Sequence, residues 1–135
     1  MNKFSQLPLS APLVQGLEAL AYAEMTPIQA ASLPLILDGK DVIAQAKTGS
    51  GKTAAFGLGL LSRLDPGVSR VQALVLCPTR ELADQVSKEL RRLARFIANV
   101  KVLTLCGGIS LRPQIASLVR AAAQFGGGEP PFRKG

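Results

Sequence analysis

The chain has 135 residues, of which 47% are hydrophobic and 19% are charged, so its length allows one domain with a core and its composition excludes global disorder. It contains no histidine, which excludes histidine-based nucleophilic catalysis. Its two cysteines, Cys77 and Cys106, are too few for a zinc site without histidine, and two reduced thiols are favoured over a disulfide. The net charge is +7 and its basic excess lies after residue 86, which fits either a polyanionic partner such as nucleic acid or a solvated helix face.

Two helices are predicted near the N-terminus. Ser10 can cap a helix that runs to about Leu20. Thr26-Pro27 opens a second helix, because threonine is a favoured cap and proline a favoured first helical residue. We expect Pro34 to interrupt this second helix and Asp38-Gly39 to end it.

Strands and helices alternate along the next stretch of the chain. The apolar runs 41–45, 71–77 and 100–106 predict strands. Residues 52–64 predict a helix in which Gly57 and Gly59 pack closely against a sheet, and Thr79 is expected to cap a long amphipathic helix. Short links between these elements indicate an open α/β fold with a parallel sheet and helices on both faces. Such sheets bind ligands beyond the carboxyl ends of their strands.

The pattern changes after Leu118. Residues 119–135 contain a run of glycine and proline, which predicts a flexible or aberrant tail behind a folded region that spans residues 1–118. No unbroken apolar run reaches the length of about 18 residues that a membrane span needs, and the N-terminus has no apolar signal core. We therefore expect a cytoplasmic monomer with no membrane attachment.

A glycine-rich stretch between the first strand and the third helix is the main candidate site. It reads Ala46-Lys47-Thr48-Gly49-Ser50-Gly51-Lys52-Thr53. The end of this stretch matches the phosphate-binding pattern G-x-x-x-x-G-K-[ST], with alanine at the first position. Its glycines would let backbone N–H groups point at phosphate oxygens, Lys52 would reach the β- and γ-phosphates of ATP, and Thr53 would ligate Mg²⁺. The alternative is an ordinary glycine-rich turn before a helix.

Four motifs in order resemble those of the DEAD-box RNA helicases. The stretch 46–53 is similar to motif I, in which alanine normally takes that first place. The other three are Met25-Thr26-Pro27-Ile28-Gln29 with the upstream aromatic Phe4, similar to the Q motif; Pro78-Thr79-Arg80-Glu81-Leu82-Ala83, similar to motif Ia; and Gly107-Gly108, similar to the GG motif. The resemblance covers about residues 1–118 and is strongest to the bacterial DEAD-box protein A (DbpA) subfamily, which acts on ribosomal RNA.

This resemblance implies a RecA-like domain and a role for each motif. Gln29 would read the edge of adenine and Phe4 would stack on its ring, although Phe4 could instead be a staple for the first helix. RNA would be bound by Pro78, Thr79, Arg80, Gly107 and Gly108. From the residues alone, Thr79 could be only a helix cap and the two glycines a plain turn.

The catalytic carboxylates of the family have no counterpart in this sequence. The family places an Asp-Glu-Ala-Asp run on a later strand, whereas Glu129 is the only acidic residue after Glu89 here, and the second RecA-like lobe is absent. We therefore expect a truncated ATP-dependent RNA helicase, through a frameshift near Val119, in which Lys52 and Thr53 bind ATP and Mg²⁺ as the catalytic residues of motif I. The alternatives are a non-catalytic fragment that binds nucleotide or RNA, and another P-loop ATPase.

Overall fold

The computed structural model describes residues 2–68 and 70–123, with side chains up to Leu118. In these described ranges, a 3-10 turn at Phe4–Gln6 precedes five helices. The helices are α1 (Ala11–Ala19), α2 (Pro27–Leu37), α3 (Lys52–Arg63), α4 (Arg80–Leu93) and α5 (Leu111–Ala123). None of the helices in these ranges is both long and apolar enough to cross a membrane.

The predicted helix starts are confirmed. Ser10, Thr26 and Thr79 occupy the cap positions of α1, α2 and α4. The Thr79 hydroxyl accepts a hydrogen bond from the Leu82 N–H at 3.1 Å, which satisfies a donor that the helix itself cannot pair. The Ser10 side chain makes no such bond, so α1 begins there on backbone geometry alone.

The prediction that Pro34 interrupts the second helix was wrong. Helix α2 continues through Pro34 to Leu37, with Asp38 at its C-terminal cap. Proline removes one backbone donor and crowds the preceding turn. Packing offsets that cost, because Leu33 beside it is fully buried in the core.

Helix α3 lies at the centre, packed against α2 on one side and α4 on the other, while α1 packs against α4. Two glycines of α3 allow this close approach. A Cβ on Gly59 would collide with Ile36 Cγ2 of α2, and one on Gly57 would lie 3.0 Å from Leu90 of α4. The expectation of close packing was correct, but the partners are helices and not a sheet. The largest fully buried side chains are Leu13, Leu17, Leu33, Leu58 and Leu93.

The parallel sheet that the sequence predicts is not formed in the described residues. Segments 41–45, 71–77 and 100–106 form no strand ladder, and within 2–68 and 70–123 the isolated β-bridge is the antiparallel pair Lys3 and Glu24. Several apolar side chains of these segments stay in solvent, since Ile43 is 103% exposed, Leu74 76% and Leu76 85%, while others such as Val42, Val75 and Val102 are half-buried. Strand pairing needs partners distant in sequence, so an apolar run alone does not form a strand.

Helix α5 extends to Ala123, five residues past the predicted boundary at Leu118. The rest of the predicted tail, 124–135, lies outside the described residues.

One hydrogen bond links the turn after α1 to the outer face of α4. Tyr22 Oη donates to Glu89 Oε1 at 3.1 Å, and Arg92 lies 3.9 Å from the same carboxylate. Partial burial raises the pKa of Tyr22 from its ordinary value of 10.0, and the charge of Glu89 raises it further.

The Tyr22 pKa is directly measurable, because the chain has one tyrosine and no tryptophan. Ultraviolet titration of the phenol should give a pKa above 10.0, and Glu89→Gln should lower it by removing the negative charge. Since the folded pKa exceeds the unfolded one, the stability linked to Tyr22 is fully present below pH 10.0 and is lost as pH rises through the folded pKa. Glu81→Gln, an exposed change on the same helix, is the control. A Tyr22 pKa that is equal in both variants would contradict the role of Glu89.

Candidate nucleotide and RNA site

The glycine-rich stretch forms a loop that ends at the N-terminus of α3. Gly49 and Gly51 have φ angles of +82° and +86°, the left-handed region that glycine adopts without strain, and Gly51 is the cap residue of α3. The Ser50 N–H donates to the Lys47 carbonyl at 3.2 Å, which curls the loop. Residues 47–49 are exposed. The loop therefore presents its backbone to solvent in front of a helix N-terminus, the arrangement that binds anions.

Lys52 and Thr53 occupy the first turn of α3 and are partly exposed. The Lys52 ammonium donates a hydrogen bond to the carbonyl of Ala46, the first residue of the loop, so the lysine side chain folds back over the loop. Ser50 Oγ is buried and makes no hydrogen bond among the described residues. A positive charge, an unpaired hydroxyl and free helix N–H groups fit the oxygens of a phosphate chain.

Thr26 and Gln29, at the start of α2, support this loop through hydrogen bonds. Thr26 Oγ1 donates to the Ser50 carbonyl at 2.7 Å, and Gln29 Nε2 donates to the Gly51 carbonyl at 3.0 Å. Gln29 Oε1 accepts from the Thr26 N–H at 2.9 Å, and the glutamine is 4% exposed. An amide group has two donors and two acceptor sites, so one of each remains for a ligand. The bond from Gln29 to the loop was not anticipated from the sequence, because nothing local relates residues 22 positions apart.

Phe4 lies in the hydrophobic core and is 4% exposed. Residues before α1 run along the turn that precedes α2: the Phe4 N–H donates to the Ala23 carbonyl at 3.4 Å, and the Met25 N–H donates to the Asn2 carbonyl at 2.6 Å. Phe4 is therefore packed in the core, with no ring face open to solvent in this conformation.

The residues of motif Ia and the GG motif lie next to each other. Pro78, Thr79 and Arg80 are exposed at the N-terminus of α4. Gly108 has a φ of +79°, and a Cβ built on it would lie 3.1 Å from Arg80 Nη1. A Cβ built on Gly107 would have no neighbouring atom within 4 Å. A guanidinium, a helix N-terminus and accessible backbone thus meet at one place, which suits contact with a phosphate backbone.

A protein-only metal site is not found in the portion of the chain that the structure describes. No group of three or more His, Cys, Asp or Glu side chains there could hold a metal ion. Thr53 is the candidate ligand, and it would act together with the phosphates of a bound nucleotide.

Comparison with curated proteins finds similarity to ATP-dependent RNA helicases. ATP-dependent RNA helicase DbpA of Escherichia coli is 62% identical over 122 residues, which are 90% of this chain and 27% of that protein. ATP-dependent RNA helicase CshA of Listeria monocytogenes is 48% identical over 118 residues, which are 87% of this chain and 22% of that protein. The chain therefore spans about a quarter of the length of these relatives.

Solved structures give the same result and extend it to the fold. A DEAD box protein from the hyperthermophile Methanococcus jannaschii matches with a TM-score of 0.82 and 35% identity, over 87% of this chain and 32% of that one. The RNA helicase Prp28 from Chaetomium thermophilum, bound to ADP, matches with a TM-score of 0.76 and 39% identity, over 87% of this chain and 30% of that one. These neighbours are RecA-like helicase domains. A family model described as DEAD/DEAH box helicase matches residues 26–128, so the chain belongs to the DEAD/DEAH box helicase family.

Proposed function

We propose that this chain is the ATP-binding portion of an ATP-dependent RNA helicase and that it binds the phosphates of ATP in the loop 46–53. The observation that carries the proposal is the loop itself, which is braced by Thr26 and Gln29 and opens at the N-terminus of α3. The Prp28 structure, a relative at 39% identity, contains ADP.

Each residue of the loop has a separate task in this proposal. On binding, the Lys52 ammonium leaves the Ala46 carbonyl and pairs with the β- and γ-phosphates, a stronger charge-assisted contact. The other backbone N–H groups between Lys47 and Gly51 would hold the phosphate oxygens, since the Ser50 N–H donates to the Lys47 carbonyl. Thr53 would hold Mg²⁺ through its hydroxyl, and the ion would neutralise phosphate charge.

The adenine end of the nucleotide would lie near the start of α2. Gln29 keeps one donor and one acceptor site beyond its bonds to Thr26 and Gly51, which is what the edge of adenine requires. Stacking by Phe4 also belongs to the proposal and requires its ring to turn out of the core when nucleotide binds.

RNA would bind at the junction of Pro78, Thr79, Arg80, Gly107 and Gly108. Arg80 supplies a charge for phosphate and Gly107 an approachable backbone. The basic excess after residue 86 adds a long-range attraction for a polyanion. Ribosomal RNA is the proposed target of the full-length protein, as the resemblance of the sequence to the DbpA subfamily implies.

For this chain alone we propose binding without turnover. Hydrolysis of ATP needs carboxylates that hold Mg²⁺ through water and orient the attacking water. Glu129 is the only acidic residue after Glu89. In the proposed full-length protein, segments 41–45, 71–77 and 100–106 become strands of a parallel sheet completed by later segments of the chain. We expect that protein to act in the cytoplasm as a monomer.

Binding of a fluorescent ATP analogue with Mg²⁺ tests the nucleotide site. Lys52→Ala should weaken binding by roughly tenfold to a hundredfold, because it removes one charge-assisted contact of about 1.5–3 kcal/mol. The matched control is Lys40→Ala, which removes an exposed lysine whose ion pair with Asp38 spans 3.5 Å. Equal affinities of the Lys52 and Lys40 variants would remove the phosphate loop from the proposal. ATP hydrolysis that rises with added RNA would overturn the claim of binding without turnover.

A further inference from the structure

A buried glutamine of α5 forms hydrogen bonds with the last residue of segment 100–106. Gln114 is 9% exposed, and its Oε1 accepts a hydrogen bond from the Cys106 N–H at 2.9 Å. Its Nε2 donates to the Cys106 carbonyl at 3.1 Å and to the Ser110 carbonyl at 3.2 Å. One side chain therefore holds both ends of the turn 106–110.

This contact replaces a missing strand partner. Segment 100–106 forms no strand ladder in the described residues, so the peptide groups of Cys106 have no neighbouring strand to pair with there. A carboxamide carries a C=O and an N–H side by side, as a peptide group does, and Gln114 uses both on the same residue. The orientation of the turn after Cys106 is thus fixed by a helix.

The turn that Gln114 holds contains the two glycines of the candidate RNA site. Gly108 lies in the left-handed region and faces Arg80 of α4, while Gly107 has open space around it. Helix α5 and helix α4 therefore meet at this turn through Gln114 on one side and Arg80 on the other. Rotation of the turn would change which backbone groups face a ligand held by Arg80.

We infer that Gln114 is a positioning residue for RNA: it presets the Gly107-Gly108 turn beside Arg80, so that RNA binds a turn that is already ordered. This inference rests on the RNA site proposed above. A turn that is ordered before binding improves the affinity for RNA, because association then costs no conformational entropy of the turn. Gln114 itself makes no contact with RNA in this scheme.

Gln114→Met tests the inference, since methionine has similar length and no amide. We expect the affinity for a short fluorescein-labelled oligouridylate to fall by about tenfold, while the affinity for a fluorescent ATP analogue stays unchanged. The matched control is Gln85→Met, which makes the same substitution at an exposed position of α4. Unchanged RNA affinity in Gln114→Met would overturn the inference, and so would equal losses of RNA and ATP affinity, because equal losses indicate general destabilisation.

Amide hydrogen exchange gives a readout that needs no RNA. The Cys106 amide is expected to exchange about tenfold faster in Gln114→Met than in the wild type, with core amides of α3 unchanged. An unchanged Cys106 rate would show that the glutamine does not order the turn and would overturn the inference directly. If the wild type binds ATP but no oligouridylate, the proposed RNA site fails and the inference fails with it. Faster exchange at Cys106 in Gln114→Met would then show only that the hydrogen bonds of Gln114 order the turn.

Discussion

Gly51→Ala is expected to reduce ATP affinity by about a hundredfold. Alanine at a φ of +86° is strained by about 1–2 kcal/mol, and its Cβ would collide with Gln29 Nε2 and lie 3.2 Å from Thr26 Oγ1. Gln29 would have to leave the Gly51 carbonyl, so the substitution disturbs both the loop and its brace. Titration of a fluorescent ATP analogue measures the loss, and circular dichroism checks that the helices remain.

Gly49→Ala is the matched variant for this prediction. Its φ of +82° is nearly the same, but a Cβ there would meet nothing within 4 Å. We expect only the backbone strain, and hence a loss of affinity of about tenfold. The difference between the two variants measures the contact between the Q motif and the loop. If both variants lose ATP affinity equally, the contact between Gln29 and Gly51 does not control the loop. In that case the double variant Gly51→Ala with Gln29→Ala should recover no ATP affinity relative to Gly51→Ala.

Leu33→Ala is expected to lower the free energy of unfolding by about 2–5 kcal/mol. Leu33 is fully buried where α2 meets the core, and truncation would leave a cavity that the neighbouring helices cannot fill. Domains have a total stability of only about 5–15 kcal/mol, so this loss is large. Because α2 also carries Thr26 and Gln29, the brace on the phosphate loop should weaken as the helix loosens. Urea denaturation followed by circular dichroism measures the change.

Leu35→Ala provides the control on the same helix. Leu35 is 43% exposed, so the same atoms are removed from a site that solvent already reaches, and we expect a loss below about 1 kcal/mol. Helix propensity changes equally in both variants, which leaves burial as the difference. Similar losses at both positions would mean that burial of Leu33 in the core does not stabilise the chain.

The helices could be predicted from the sequence because their signals are local. Thr26, Thr79 and the Gly51-Lys52-Thr53 run mark helix starts within a few residues, and the structure confirms them. Membership of the helicase family, inferred from four ordered motifs, is also confirmed, and it replaces the alternative of a different P-loop ATPase.

Contacts between distant residues could not be predicted. The bonds from Gln29 to Gly51, from Tyr22 to Glu89 and from Gln114 to Cys106 join different elements, and no periodicity marks them. The three strands were predicted from apolar runs, but pairing depends on neighbours outside each run. The relatives are about three to four times as long as this chain, and the unpaired segments are where such neighbours would be needed.

Segment 71–77 has a consequence for the behaviour of this chain in solution. It is uncharged and free of proline, and its Val71, Leu74 and Leu76 side chains are 70%, 76% and 85% exposed. Short apolar segments with free backbone groups are templates for cross-β assembly. We therefore expect this segment to limit the concentration at which the chain stays dispersed, although it lies at the end of α3 opposite to the proposed nucleotide loop.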